Sequence, residues 1–327
     1  MTHAKGGRSV AVTIADVART AGVSASTASR AFNHPQRLRA ETVARVKAAA
    51  EDLGFRHNRH AKALSTGRSS ALGLIVPDLS NPFFPPLVHA TQLNAEEQGY
   101  SLYILSSEHN ANREQQLARL VSHDVAGLIL ASPRMSAAQV RVIARDVPTI
   151  LINAQVKGVP TVLVSADGAI ADAVEDGAAK GISGVSYIGS DERWWPNTER
   201  EESARSAAER HGVPYRRLSL PEPTYDAARE VVSTVETRSH ELVVAFDDIV
   251  AHGVLDGLGA RGYRPPRDFR ILGCDDALPI NTNPALSTVH LDTRMAARIA
   301  VDMLLGEGAD EPQTVVVSGT YRPGATI

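Results

Sequence analysis

Within TIADVARTAGVSASTASRAFN, Thr13 to Asn33, the residues Ser24, Ala25, Ser26, Thr27, Ser29 and Arg30 crowd into one short stretch. Hydroxyl side chains can bond phosphate oxygens or base edges, an arginine can fork onto guanine or phosphate, and small residues let a helix sink into a groove. That chemistry is nucleic-acid recognition, and it needs a helix to present it. Thr13 can cap a first helix with Asp16 in its first turn, and Ile14, Val17, Ala18 and Ala21 form that helix's apolar stripe. Gly22 supplies the left-handed corner, Val23 plugs it, and Ser24 caps a second helix from Ala25 to Phe32. Two short helices about a tight turn have the helix-turn-helix shape that reads the DNA major groove; the competing reading is an ordinary helical hairpin inside a larger domain.

Leu38 to Phe55 repeats apolar residues at Val43, Val46, Ala50 and Leu53 and stops at Gly54, which predicts a third helix closing a small core. Charge then divides the chain. Residues 1–68 carry 12 Lys and Arg against 4 Asp and Glu, and the remainder carries 22 against 33, so a net of −3 conceals a basic head on an acidic body. A basic head of this kind is the electrostatic footprint of a DNA-binding module.

A second set of candidate residues lies further on. The runs ALGLIVPD, YSLYILSS, AGLILAS, PTILIN, VSYIGS, LVVAFDD and FRILGCDD are short, rich in branched residues and separated by helical stretches. They predict parallel sheets covered on both faces, and about 260 residues at 43% hydrophobic overall suffice for two cores. Ligands gather at the carboxyl ends of such strands. Those ends carry Asp78, Asn81, Phe83 and Phe84, then Asn153, Asp247 and Asp248, and Asp275 and Asp276. Loops also begin there, so simple solvation is the alternative for each. Carboxylates, amides and aromatic rings together suit a polyhydroxylated molecule. The two tryptophans, Trp194 and Trp195, follow VSYIGS; one is expected on a cleft wall, against core or dimer packing as the alternative.

The chain resembles the LacI/GalR family of bacterial transcription regulators over nearly its whole length. The resemblance is carried by TIADVARTAGVSASTASRAFN, by AEDLGFRHNRHAKALSTGRSSALGLIVPDLSNPFF, and by FDD, GCDD and NPALSTV in order. It implies an α/β protein with an N-terminal all-α helix-turn-helix head and a two-lobed, periplasmic-binding-protein-like body of parallel sheets. It further implies that Ala25, Ser26 and Arg30 read bases, while Thr13, Ser24, Thr27, Ser29 and Asn33 hold phosphates or support the fold. Asn58 to Leu64 matches a hinge that becomes helical on DNA, where Ala61 and Lys62 face the groove and Leu64 wedges into the minor groove; His57 stands where the family usually has Pro. Phe83, Phe84, Asn153, Arg200, Asp247 and Asp275 match effector contacts, and Trp195 is placed with them. Departures are Ser203 for the Gly of the R-x-x-G motif, Leu291 at a usually polar position, and Pro223 at the usual stacking position.

The resulting expectation is a flexible tail (1–12), a DNA-binding domain (13–57), a hinge (58–68) and an effector-binding and dimerisation body (69–327), with lobe crossings near Val164, Asp292 and Thr320. Function is then sequence-specific DNA binding, with repression expected, controlled by a small effector, a sugar or related polar metabolite. The alternatives are a nucleoside or other non-sugar effector, a solute-binding protein, or a metal-dependent enzyme built on the four aspartates. The partners are a near-palindromic double-stranded DNA operator, the effector and a second copy in a homodimer. No GxxxxGK[ST], GxSxG or HExxH motif occurs, and Cys274 is alone, so no catalysis, metal or cofactor is expected. No apolar run reaches the length of a signal peptide core or a membrane span, so a cytoplasmic, nucleoid-associated protein is expected.

Overall fold

The computed structural model describes residues 12–33, 37–55, 69–190, 194–234, 239–278, 282–306 and 313–327. The chain divides into two compact units, residues 1–68 and 69–327. The expected tail but for its last residue, and the hinge with Asn58, Ala61, Lys62 and Leu64, lie outside the described residues.

The first unit holds α1 (Ile14–Thr20), α2 (Ala25–Asn33) and α3 (Ala40–Asp52). Thr13 and Asp16 form a reciprocal cap: the Asp16 N–H donates to Thr13 Oγ1 at 3.4 Å and the Thr13 N–H to Asp16 Oδ2 at 3.0 Å. Gly22 takes φ +64°, which turns the chain sharply enough for the Val23 N–H to reach the Ala18 carbonyl at 3.0 Å. Val17, Ala18, Ala21, Ala28, Ala31, Val46, Ala49 and Ala50 make the core, edged by Phe32 and Phe55, whose rings lie 5.9 Å apart. α3 is shorter than its apolar repeat, because Arg39 is extended and Gly54, at φ +63°, ends the helix.

The second unit contains two six-stranded sheets. Their strands are β1 (Ala71–Val76), β2 (Ser101–Ser106), β3 (Gly127–Ala131), β4 (Thr149–Ile152), β5 (Thr161–Ser165), β6 (Val185–Ser190), β7 (Tyr215–Leu220), β8 (Leu242–Ala245), β9 (Arg270–Asp275), β10 (Ser287–His290), β11 (Thr314–Ser318) and β12 (Thr320–Arg322). The helices are α4 (Phe84–Glu97), α5 (Ala111–Val121), α6 (Ala137–Asp146), α7 (Asp167–Ala179), α8 (Trp195–Arg210), α9 (Tyr225–Thr234), α10 (Asp248–Ala260) and α11 (Thr293–Leu305). The orders are β2-β1-β3-β4-β5-β11 and β7-β6-β8-β9-β10-β12, so both sheets repeat one doubly wound plan. Among the described residues every strand pair is parallel except β10 with β12. The α/β class with parallel sheets therefore stands.

Burial explains which strands were legible. β1, β3, β4, β6 and β8 are buried at every residue, and their sequences are accordingly mostly apolar, with Thr149, Ser186 and Ser190 as buried hydroxyls. Edge strands β2, β7 and β11 alternate or expose their residues. The chain passes between sheets after Ser165, again between His290 and Thr293, and finally at Gly319. At that last passage the Gly319 N–H donates to the Ser165 carbonyl at 2.7 Å, and a Cβ there would meet Leu291, Val289 and the Ser165 oxygen within 3.0 Å. A side chain at 319 would have to push Leu291 and Val289 aside for these passages to lie so close.

Candidate functional sites

In the first unit, α2 turns Ala28 and Ala31 into the core and leaves Ala25, Ser26 and Arg30 exposed, with Thr27 and Ser29 half-buried. Ser24 Oγ accepts the Thr27 N–H at 3.1 Å and lies 2.9 Å from Ser26 Oγ and 2.8 Å from Thr27 Oγ1. Thr13 Oγ1 donates to Asp16 Oδ2 at 2.6 Å, so its hydroxyl serves the cap; Asn33 closes α2. The exposed face is therefore nearly flat, floored by short side chains with one long cation at its C-terminal end. Such a face can approach a groove closely and place a single guanidinium fork against a base or phosphate.

The second unit carries a cavity of about 470 Å³, counted to its open mouth, where the carboxyl ends of the two sheets meet. First-sheet loops supply Asn81, Phe83 and Phe84 after β1, Ser132 and Arg134 after β3, and Asn153 after β4; the second sheet supplies Trp194, Arg200, Phe246 and Asp275.

Local structure aims each group. Pro196 sits in the first turn of α8, where its missing N–H costs nothing, and one turn later Arg200 points inward, 3% exposed. Its Nη2 donates to Asp275 Oδ1 at 2.8 Å, its Nη1 to the Phe246 carbonyl, and its guanidinium lies 4.7 Å over the Phe246 ring. Asn153 Oδ1 accepts the Val164 N–H at 2.8 Å. That bond fixes the amide orientation, leaving Nδ2 as the group Asn153 can offer to a ligand. Ser132, Asn153 and Asp275 adopt φ of +48°, +56° and +100°, conformations that non-glycine residues adopt at a cost and that concentrate at binding sites.

Aromatic rings form the apolar wall. Phe83 and Phe84 meet edge to face at 5.1 Å, as do Trp194 and Phe246 at 5.6 Å. The Arg134 guanidinium, from the first sheet's side, stacks 3.7 Å over Trp194, from the second, so this cation–π pair spans the cleft.

Of the seven residues expected to contact an effector, Phe83, Phe84, Asn153, Arg200 and Asp275 line this cavity. Trp195 and Asp247 stand elsewhere. Trp195 opens α8 and faces an adjoining chamber lined also by Gln155 and Val156, and its neighbour Trp194 takes the cavity wall. Asp247 turns away to cap α10, accepting the Val250 N–H at 2.8 Å, while Phe246 faces the cavity. Pro223 is on the wall, and Leu291 is buried outside the lining. His109, Ser132 and Arg134 were not singled out from sequence, although they follow β2 and β3 at positions of the same kind as those that were.

Behind the cavity, burial and then the charge of Asp275 push the Asp247 carboxyl up to about 7. Burial also pushes Asp248 up to about 8, against the pull of the Thr288 hydroxyl, which donates to Asp248 Oδ1 at 2.6 Å. Acids whose folded values lie above their unfolded ones stabilise the fold below the unfolded value, and that contribution is lost as pH rises through the folded value. The protein should therefore melt at lower temperature as pH climbs from about 5 to about 8. Asp248→Asn mimics the protonated acid and should melt like the parent near pH 4, with its advantage growing up to about pH 8; identical slopes of Tm against pH in the two proteins over that range would refute this.

Cys274 is buried in β9. Among the described residues no group of three or more His, Cys, Asp or Glu is placed to hold a metal ion, and no helix is long and apolar enough to cross a membrane.

Comparison with known proteins agrees with this two-part organisation. Residues 13–58 match the bacterial regulatory proteins of the lacI family, and residues 174–327 match the periplasmic binding protein-like domain. Catabolite control protein A of Priestia megaterium is 27% identical over 288 residues, covering 85% of this chain and 87% of that protein. The HTH-type transcriptional regulator GalS of Salmonella typhimurium is 29% identical over 322 residues, covering 95% and 94%. In fold, the chain is similar to the lac repressor dimer bound to operator and the anti-inducer ONPF, with a TM-score of 0.80 at 20% identity over 97% of this chain and 99% of that one. It is also similar to the transcriptional regulator CelR in its cellobiose complex, with a TM-score of 0.68 at 22% identity over 96% and 99%. A helix-turn-helix unit that matches the lacI family, a two-sheet unit that matches the periplasmic binding protein-like domain, and relatives named as transcriptional regulators over nearly the whole chain lead to one conclusion: the chain is a LacI-family transcriptional regulator with a DNA-binding domain and a ligand-binding domain.

Proposed function

We propose that this regulator is a homodimeric, cytoplasmic repressor that binds a near-palindromic operator on the nucleoid and is switched by a small polyhydroxylated metabolite held between its lobes. Identical heads related by a two-fold axis meet the two halves of such an operator about one DNA turn apart. Ala25 and Ser26 bring α2 close to base edges, and Arg30 supplies the discriminating fork; the hinge from Asn58 to Leu64, with Leu64 as wedge, bends the site. In the cleft, Asn153 Nδ2, Arg200 and Asp275 meet hydroxyls, and Phe83, Phe84, Trp194 and Phe246 cover the apolar face of a ring.

The observation that carries this reading is the buried Arg200–Asp275 pair opening onto an aromatic-walled cavity between two sheets. CelR, a relative in fold, was solved with cellobiose, which favours a carbohydrate. The four aromatic walls equally suit a purine or pyrimidine, so a nucleoside is the second reading. Coupling follows only if the effector binds the DNA-competent and DNA-incompetent lobe arrangements with different affinity.

A panel of monosaccharides, disaccharides, sugar acids and nucleosides, scored by thermal shift on the whole chain, tests this. A carbohydrate that raises Tm should also change operator affinity. Stabilisation by nucleosides alone would replace the carbohydrate reading, and a stabilising ligand without effect on DNA binding would contradict effector control.

A further inference from the structure

Glu199 and Arg200 are adjacent on α8 but engage different parts of the body. Arg200 holds Asp275 at the cavity. Glu199 reaches the first passage between the sheets, where its Oε1 accepts the Ser165 hydroxyl at 2.6 Å, the Ala166 N–H at 2.9 Å and the Asp167 N–H at 3.0 Å. One turn on, the Ser203 hydroxyl donates to Asp167 Oδ1 at 2.7 Å, with the Glu199 carbonyl at 2.8 Å as its other partner. A glycine at 203, as in the R-x-x-G motif, would lack that hydroxyl. The same Ser165 receives the Gly319 N–H of the third passage on its carbonyl.

We propose that Glu199 and Ser203 are positioning residues that staple the first inter-lobe passage to α8, so that the angle between lobes and the seat of Arg200 change together. The inference deepens the effector reading, since it names how the binding helix grips the hinge. The plainest structural role, a helix cap, does not account for the arrangement. α7 starts behind Ala166, which has no side-chain acceptor, and a local Ser or Asp there would satisfy the first N–H groups at no further cost. The chain instead reaches in from another helix with a carboxylate whose second oxygen, Oε2, is buried without a partner among the described residues. Leaving such an oxygen unbonded costs stability, so local capping would be the cheaper solution. Ser165 ends a strand of the first sheet, and Glu199 belongs to a helix packed on the second. The bond from the Ser165 hydroxyl therefore ties the end of a first-sheet strand to α8, while those from Ala166, Asp167 and Ser203 hold α7 against α8 just after the passage.

The staple can be tested without any effector, so its failure is distinct from failure of the ligand panel. Trp194 touches Arg134 across the cleft, and in a Trp195→Phe background its fluorescence quenching by acrylamide reports lobe separation. Amide exchange of the peptide containing Ala166 and Asp167 reports the bonds themselves. Glu199→Ala should speed that exchange about tenfold, the size expected for losing a charge-assisted hydrogen bond, and should raise Trp194 quenching. Ser203→Ala, a milder change, should do both to a smaller extent, and Glu199→Gln, which keeps an acceptor, should restore both. Faster exchange in Glu199→Ala and Ser203→Ala with Trp194 quenching at the parent value would reduce the pair to a helix cap and overturn the proposal. Exchange unchanged in both variants would overturn it as well. If Glu199→Ala does not fold, Ser203→Ala and Glu199→Gln decide the matter.

Discussion

Arg200→Ala is expected to lose all response to the effector while the free protein still binds its operator. The guanidinium is buried, donates to Asp275 Oδ1 and the Phe246 carbonyl, and lies over the Phe246 ring, so its loss removes the fork from the cavity and collapses one aromatic wall. It also strands Asp275 as a buried carboxylate without its cation. Breaking such a pair from one side costs about 3–5 kcal/mol, or a fall in Tm on the order of 10 °C for a domain of this size. Arg200→Lys should behave similarly, because a point charge cannot reproduce the planar fork. The double variant Arg200→Ala with Asp275→Ala removes the stranded charge, and should recover much of the stability while remaining blind to the effector. Calorimetric titration giving parental effector affinity for Arg200→Ala would show that the ligand sits elsewhere.

The second large effect is expected at Arg30. It is exposed at the C-terminal end of the α2 face whose other members, Ala25 and Ser26, are too short to reach far into a groove. A guanidinium bidentate to guanine contributes about 1–3 kcal/mol of discrimination against the wrong base. In a symmetric dimer that contribution is doubled per operator, so Arg30→Ala should reduce operator affinity by about two orders of magnitude or more while affinity for random DNA falls only slightly. Equal losses on the two DNAs would mean that Arg30 neutralises phosphate and reads nothing.

The head was legible almost residue by residue, because its signals are local: a hydroxyl cap at Thr13, left-handed corners at Gly22 and Gly54, and an apolar repeat set by helical period. The central strands were legible for the same reason, since a strand buried on both faces is written as an unbroken apolar run. β7, YRRLSL, hid its strand character behind Arg216 and Arg217. Arg216 spans from the edge to Ser186 and Glu241, so a charged residue on an edge strand is held by neighbours distant in sequence. The cavity was legible at its principle and less so in its details. Strand ends were the right places, but adjacent residues there point in opposite directions. At Phe246 and Asp247 that alternation sends the ring to the cavity and the carboxylate to the cap of α10. At Trp194 and Trp195 the choice depends on which residue opens α8, and a helix start is uncertain by a residue or more when read from sequence. Arg134 escaped notice because its partner Trp194 is distant in sequence and near only once both sheets have folded.

The most direct test of the whole account is to incubate the purified protein with sheared genomic DNA and excess scrambled competitor, with and without the metabolite that raises its Tm, and to sequence what is retained. The account predicts enrichment of a few fragments sharing a near-palindromic site, with the metabolite changing their retention and Arg200→Ala indifferent to it. Retention without preference for any fragment, in every condition, would contradict it.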